Sequence, residues 1–440
     1  MSSPKTRKLV VWEQSREGAR EKTAPRRVHP EVHPRERLAM GPPGSPRGGV
    51  SHEYAADLEM IQEARERIAP YAKKTPVHRC ATIDALMRPD RVDLETPHDS
   101  DVRLFFKCET FQKGGAFKFR GAINATLRLS EADREKGVVT HSSGNHAAAL
   151  ALAAKTLDCP AYIVVPEGAP QCKLDAIETY GGRITRCAAT VSDREATCAK
   201  LQRETGATLI PPYDHPDVIA GQGTIGVEFL EQVPDLDAVI VPVSGGGMIS
   251  GIALAVKALN PNCLVLAAEP GGEMGNRADC YESKRVNEVQ MDMPPPVTIA
   301  DGLRARLGYL TWPVVRDKVD DVLVVSELDI VNAMKLIYER MKLVVEPSGA
   351  AGLAAALSES FKDFNAKNAG WGQTVRCRKV GIVLCGGNVD LGVLWKSYGL
   401  WYGLRCGRAR YLCAYFYVKK KEASMYRRAR DTKRDASVIA

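Results

Sequence analysis

From about Ala55 onward the chain distributes its apolar residues in two alternating patterns. Leu58, Ile61, Ala64 and Ile68 recur at near-helical spacing. Beyond them, short runs that are apolar at nearly every position alternate with segments of helical period. Val102–Lys107, Val138–His141, Ala161–Val165, Ala238–Val243, Leu264–Ala268 and Val380–Cys385 read as strands. Phe117–Leu129, Asn145–Lys155, Gln171–Thr179, Met248–Leu259 and Ile330–Lys342 read as helices. A strand without polar alternation is buried on both faces, and repeated strand–helix alternation predicts parallel sheets with helices on each side. The expected class is therefore α/β.

Two segments fall outside this pattern. Residues 1–49 are rich in Pro, Arg and Glu and lack apolar periodicity, which predicts a disordered extension. Residues 398–440 mix aromatics, cysteines and the run Lys419-Lys420-Lys421 without a clear period, and the pattern assigns them no element. A third segment needs a membrane check, because Ala238–Val256 carries no charge over a length close to that of a span. Pro242 and Ser244-Gly245-Gly246-Gly247 interrupt it, so a strand, a glycine loop and a helix explain it better than one continuous helix.

Charge changes the picture by where it sits. The chain has 440 residues, 61 Lys+Arg and 53 Asp+Glu, a net of +8. Residues 1–49 hold 11 basic and 5 acidic side chains, and residues 398–440 hold 11 and 3. The body between them is thus mildly acidic, which removes the electrostatic support for a nucleic-acid or membrane function of the core. The 12 cysteines show no C-x-x-C and no zinc-like clustering. Reduced thiols in a cytoplasmic protein are the simplest expectation. No apolar stretch adjoins the basic residues of the N-terminus as a secretory signal requires, and the glutamates there argue against a mitochondrial transit peptide.

Three loops carry candidate chemistry, each after a predicted strand, where open α/β sheets bind ligands. In Phe111-Gln-Lys-Gly-Gly-Ala-Phe-Lys-Phe-Arg-Gly121, Lys118 lies between Phe117 and Phe119. A desolvated lysine loses proton affinity and becomes a nucleophile or base near neutral pH, although a solvated lysine at a helix start fits the same segment. His141-Ser-Ser-Gly-Asn-His146 opens a helix with small polar residues, as an anion site or as a plain N-cap. Val243-Ser-Gly-Gly-Gly-Met248 lets the backbone approach a phosphate at a helix N-terminus. It matches neither the G-x-G-x-x-G dinucleotide fingerprint nor the Walker A motif.

As a set, the motifs resemble those of the fold-type II pyridoxal-phosphate enzymes, in the branch of the serine racemases and serine/threonine dehydratases. The matching segments are Phe-Lys-Phe-Arg-Gly-Ala (117–122), Thr-His-Ser-Ser-Gly-Asn-His (140–146), Ala-Gly-Gln-Gly-Thr (220–224), Ser-Gly-Gly-Gly-Met (244–248), Ala-Ala-Glu-Pro (267–270), Glu-Arg-Met-Lys-Leu (339–343) and Cys-Gly-Gly-Asn-Val-Asp (385–390). They run in order over about residues 55–396. The resemblance implies a tryptophan synthase beta-like fold of two open twisted parallel-sheet domains with the cofactor in the cleft. Residues 50–132 and 219–397 would form the large domain and 133–218 the small one. It also implies a homodimer acting on a small amino acid.

The same resemblance assigns roles. Lys118 would carry pyridoxal 5′-phosphate as a Schiff base, with Phe117 beside the ring and Asn145 on the 3′-oxygen. Ser244, Gly245, Gly246, Gly247 and Met248 would hold the phosphate. Cys385 would face the pyridine nitrogen, where the racemases often carry Ser and some dehydratases Cys. Lys118 would remove the Cα proton from one face of the substrate, and Ser143 would serve the other. Ser142 and the N–H groups of 143–146, His146 among them, would bind the substrate carboxylate, and Arg194 matches a further substrate-binding position. Glu269 and Asp279, with the carbonyl of Arg277, match the ligands of a divalent cation (Mg²⁺, Mn²⁺ or Ca²⁺). Mammalian serine racemases bind ATP between subunits. Lys113 and Asn388 match residues of that effector site, whereas Ala148 replaces a Gln and the segment near Thr82 diverges.

The implied activity is serine racemisation with L-serine, L-threonine and D-serine ammonia-lyase activity, giving pyruvate or 2-oxobutyrate. An alternative of the same fold is a threo-3-hydroxyaspartate dehydratase, with Arg304 or Arg306 meeting the extra carboxylate. A different class is a non-catalytic interaction protein that uses its basic ends.

Overall fold

Strands sort into two sheets in the computed structural model, which describes residues 53–87, 102–169, 171–271, 279–369, 376–392 and 394. The two basic extensions lie outside the described residues. The strands are β1 (Val77–His78), β2 (Arg103–Cys108), β3 (Val138–His141), β4 (Ala161–Pro166), β5 (Arg183–Cys187), β6 (Thr208–Leu209), β7 (Ala238–Pro242), β8 (Leu264–Pro270), β9 (Asp321–Val325) and β10 (Lys379–Leu384). The larger sheet has the order β1-β2-β10-β7-β8-β9 and the smaller β5-β4-β3-β6. All neighbours pair in parallel except β1 and β2.

Side-chain alternation in the large sheet explains its continuous apolar strands. Val239 and Val241 enter one core cluster with Val265 and Ala267, while Ala238 and Ile240 enter another with Leu266 and Ala268. Both faces are dry along β7, whose five residues are all buried and apolar. Six of the helices are α1 (Leu58–Ile68), α2 (Lys118–Leu127), α3 (Asn145–Thr156), α4 (Pro216–Gln232), α5 (Gly247–Leu259) and α6 (Pro347–Leu357). Helices α1, α4 and α5 contribute to the first core and α6 to the second. Close approach of α4 and α5 requires glycine at 251, since a Cβ there would stand 2.5 Å from the Gly223 nitrogen.

Helix α2 joins the two units. Its Phe119, Ala122, Ile123 and Ala125 pack into the core beneath the small sheet, with Leu150 and Ile163. Its opposite side faces the large unit through Arg120, which is fully buried. The Arg120 guanidinium donates to Glu109 Oε2 at 2.8 Å and to Glu228 Oε1 at 2.7 Å. Lys107, also fully buried, donates to Glu228 Oε2 at 2.8 Å and to the Thr75 carbonyl at 2.8 Å. Two cations and two carboxylates therefore neutralise one another two residues beyond Lys118.

Element boundaries follow capping chemistry. The helix expected at Ile330–Lys342 starts at Glu327, because Ser326 and Asp329 form a capping box. It widens over Ile337–Met341 and stops where Lys342 turns left-handed at φ 60°. The uncharged stretch 238–256 resolves into β7, a glycine loop and the start of α5, and among the described residues no helix is long and apolar enough to cross a membrane.

The buried ionic cluster sets an expectation for stability. Arg120→Met leaves two carboxylates short of a partner, and breaking a buried pair in this way costs about 3–5 kcal/mol. Urea unfolding of the purified variant measures it. A loss under about 1 kcal/mol would mean that the cluster relaxes without penalty.

Candidate active site

The carboxyl ends of three adjacent parallel strands deliver the chemistry. Cys108, at the end of β2, lies opposite Leu384 at the end of β10, and Ile382 lies opposite Ile240 on β7. The chain leaves β2 for the Lys118 segment, β10 for Cys385 and β7 for the glycine loop, all on the same edge of the sheet. Backbone bonds then tie two of these exits together. Phe117 N donates to the Cys385 carbonyl at 3.0 Å, and Gly387 N donates to the Gly115 carbonyl at 2.9 Å.

Lys118 opens α2 and is half-buried, with its ammonium enclosed. Nζ donates to the Pro212 carbonyl at 2.6 Å and stands 5.0 Å from the centre of the Phe117 ring. Burial depresses its pKa to about 8, so a substantial fraction is neutral amine near physiological pH. Cys385 is 3% exposed, and burial together with the nearby Glu346 keeps its thiol protonated.

The glycine loop is shaped by contact on both sides. A Cβ on Gly245 would fall 2.4 Å from the Tyr213 ring, and one on Gly247 2.8 Å from the Tyr213 Cβ. Gly246 adopts φ 88°, and its added Cβ would meet Thr311 at 2.7 Å. Helix α5 has no side-chain cap, so its first N–H groups are left for an anion. Ser244 Oγ accepts from Ala305 N at 2.9 Å, and Met248 is buried at the start of α5. Consecutive residues thus touch both features: Pro212 receives Lys118, and Tyr213 covers the glycines. A glycine cradle at an uncapped helix end beside an enclosed amine fits a phosphorylated aldehyde cofactor.

The second loop leaves β3 at His141. Ser142 and Ser143 are half-buried, and α3 starts behind Gly144 without a side-chain cap. Asn145 donates through Nδ2 to Glu346 Oε1 at 2.6 Å. Asn388 Nδ2 donates to Asn145 Oδ1 at 2.9 Å and to the Gly114 carbonyl at 2.7 Å. His146 is 2% exposed and donates through Nε2 to the Ile210 carbonyl at 2.9 Å. Its Nδ1 is buried without a partner among the described residues. Burial and the Lys118 charge hold its pKa near 3, so the imidazole is neutral.

Other candidate residues lie further out. Arg194 turns back to the Thr190 carbonyl at 3.3 Å, and its charge reaches His141. Lys113 Nζ stands 5.7 Å from the centre of the Phe119 ring. Arg304 donates to the Thr298 carbonyl, and Arg306 pairs with Asp292. Glu269, at the end of β8, is 2% exposed and accepts from Cys280 N at 3.0 Å and Tyr281 N at 2.8 Å. Asp279 is 5% exposed and accepts from Leu307 N at 2.6 Å. Arg277 lies outside the described residues, and no cluster of three or more His, Cys, Asp or Glu forms a metal-binding group among the described ones.

Sequence reasoning missed three residues of this region. Asp214 accepts from the N–H groups of Tyr309, Leu310 and Thr311 at 3.1, 2.8 and 3.3 Å, fastening the loop before α4 to the large unit. Tyr213 roofs the glycines. Glu346 is 3% exposed and touches Asn145 across 201 positions of sequence. Only Glu346 carried a local signal, a glutamate before Pro347 at a helix start where Ser, Thr, Asp or Asn is preferred.

Comparisons with known proteins agree with this geometry. The family model described as "Pyridoxal-phosphate dependent enzyme" matches residues 69–386. A serine racemase of Oryza sativa subsp. indica is 52% identical over 350 residues, covering 80% of this chain and 96% of that protein. The human serine racemase is 48% identical over 342 residues, covering 77% and 93%. Among solved structures, maize serine racemase superimposes with a TM-score of 0.70 at 51% identity, covering 80% of this chain and 99% of that one. Threonine deaminase isoform 2 of Solanum lycopersicum gives a TM-score of 0.66 at 30% identity, covering 80% and 94%. The chain belongs to the pyridoxal-phosphate-dependent enzyme family, in the fold-type II branch that contains the serine racemases and threonine deaminases.

Proposed function

We propose that this protein interconverts L- and D-serine and also eliminates ammonia from L-serine, L-threonine and D-serine. The observation that carries the reading is the enclosed amine of Lys118, held beside a glycine cradle on the same strand ends. Lys118 would bind pyridoxal phosphate covalently, the N–H groups of 245–248 its phosphate, and Asn145 its ring oxygen. Bound there, the cofactor withdraws electrons from the substrate Cα and makes its hydrogen acidic.

The chain's own groups supply the rest. With its pKa near 8, the Lys118 amine takes and returns a proton on one face of Cα without full deprotonation of bulk lysine being needed. Ser143 is assigned to the opposite face, where the uncapped start of α3 favours the transient alkoxide. The same helix start, with Ser142, would orient the substrate carboxylate. A protonated Cys385 offers the ring nitrogen no fixed negative charge, which limits charge delocalisation and disfavours transamination. When the β-hydroxyl leaves with a proton, water addition completes conversion to 2-oxo acid and ammonia.

Serine is favoured over 3-hydroxyaspartate because a second carboxylate needs a free cation. Arg306 is paired with Asp292, and Arg304 turns two of its guanidinium nitrogens to the Thr298 carbonyl. We assign a divalent cation to Glu269 and Asp279, whose crowding and burial call for positive charge. We further propose a homodimer in the cytoplasm, with ATP as an effector near Lys113 and Asn388. Exposed Phe111, Val344 and Leu391 support a second copy as the cover for this face, and free thiols fit a reducing compartment.

Two experiments test the proposal. Borohydride reduction followed by peptide mass spectrometry is expected to place a pyridoxyl group on Lys118, and Lys118→Ala to lose both the adduct and activity. An adduct elsewhere would overturn the assignment. Ser143→Ala is expected to slow racemisation about 100-fold or more while elimination stays within about tenfold. Equal losses would remove Ser143 from the second face.

The metal reading makes a pH prediction. Burial and then repulsion from Asp279 raise Glu269 to about 8, and burial raises Asp279 to about 6. The folded chain then binds more protons than the unfolded one between the ordinary carboxylate range and about pH 8, so metal-free stability falls as pH rises through that window. Added Mg²⁺, Mn²⁺ or Ca²⁺ is expected to raise the melting temperature at pH 8 and far less at pH 5. An equal shift at both, or none, would exclude this site.

A further inference from the structure

Glu346 is the N-cap residue of α6, yet its side chain caps nothing. Its main chain starts the helix in the ordinary way, with Gly349 N donating to its carbonyl at 2.9 Å. A capping Ser or Asp in this place would be worth about 1 kcal/mol. The chain forgoes that and spends the carboxylate on Asn145 Nδ2 at 2.6 Å. Space for it is built in: a Cβ on Gly386 would stand 2.5 Å from Glu346 Oε1 and 3.2 Å from the Ala116 Cβ. Glu346 N donates to the Gly386 carbonyl at 3.0 Å, so backbone and side chain both fix the carboxylate against the Cys385–Gly387 turn.

The other end of the Asn145 amide is held as well, because Asn388 Nδ2 donates to its oxygen at 2.9 Å. An acceptor at the nitrogen and a donor at the oxygen permit one amide orientation only. The reverse orientation would set the Asn145 N–H groups against the Asn388 N–H donor, which the Gly114 carbonyl holds in place. Of the two Asn145 N–H bonds, one is used by Glu346, which leaves the second for a ligand.

We propose that Glu346 is a positioning residue for the cofactor: through its contact with Asn145, and with Asn388 as counterpart, it sets which end of that amide meets the bound coenzyme. This rests on the assignment of Asn145 to the cofactor ring oxygen given above. Asp301 and Lys173 are the charges that face Glu346, and Cys385 lies beside it.

The test titrates apoprotein with pyridoxal phosphate, reading affinity by absorbance and by intrinsic fluorescence, with the apoprotein melting temperature as control. The variants are Glu346→Ala, Glu346→Gln, Glu346→Asp, Asn145→Ala and the double variant Glu346→Ala/Asn145→Ala. Glu346→Asp separates the two roles of the position. Aspartate caps helices well but is one methylene too short to reach Asn145, so it is expected to keep or raise the melting temperature while weakening cofactor binding about tenfold. Glu346→Gln keeps an acceptor oxygen and is expected to bind within about twofold of the parent. Glu346→Ala is expected to weaken binding about tenfold, with no further loss in the double variant relative to Asn145→Ala.

If the Glu346→Ala and Asn145→Ala losses multiply, or if Glu346→Asp binds as the parent does, the positioning role is overturned while the Asn145 assignment stands. If Asn145→Ala binds as the parent does, the Asn145 assignment itself falls and the role of Glu346 falls with it.

Discussion

A short backbone seam holds the cleft together. The bond from Phe117 N to the Cys385 carbonyl, that from Gly387 N to the Gly115 carbonyl and that from Glu346 N to the Gly386 carbonyl join three segments far apart in sequence. None depends on a side chain, so the seam constrains geometry without dictating chemistry. It sets the approach of Lys118 to Cys385 and brings Glu346 within reach of Asn145. Glycine at 386 leaves room for the Glu346 carboxyl, which a Cβ there would crowd at 2.5 Å.

Around this seam burial moves titratable groups toward their neutral forms. Burial lowers Lys118 to about 8 and His146 to about 3, and raises Glu346 to about 8 and the Cys385 thiol further. A low-dielectric site strengthens whatever charge a ligand brings into it. The places prepared for negative charge are main-chain ones, the uncapped starts of α3 and α5. Beneath them, the strong charges of Arg120, Lys107, Glu109 and Glu228 cancel in a closed cluster and contribute rigidity to the base of α2.

Helix α2 shows how packing and chemistry share one element. Its apolar face completes the core under the small sheet, while its first residue presents the amine to the cleft. The division at 132/133 drawn from the resemblance falls after α2, and the helix packs with both sides of that division. Asp214 provides a second link, as the chain leaving the small sheet binds three amides of the large unit. Movement of one unit against the other would therefore act on Lys118 through its own helix and on the glycines through Tyr213.

Much of this was legible from sequence, because period and composition are local properties. The fully apolar strands and the helices between them mark a buried parallel sheet, while Lys118 and the Gly-Gly-Gly loop took the roles of amine and phosphate cradle only from the set of motifs that resembles the family. Caps shifted the ends of the helix at 327–336 for reasons that also lie in the sequence, Ser326 and Asp329. What tertiary structure alone decided were pairings between distant positions: Glu346 with Asn145, Asp214 with 309–311, Arg306 with Asp292, and the adjacency of β2, β10 and β7. Local patterns encode which residues turn inward. They do not encode which strands become neighbours, and the partner of a buried carboxylate is settled only when those strands align.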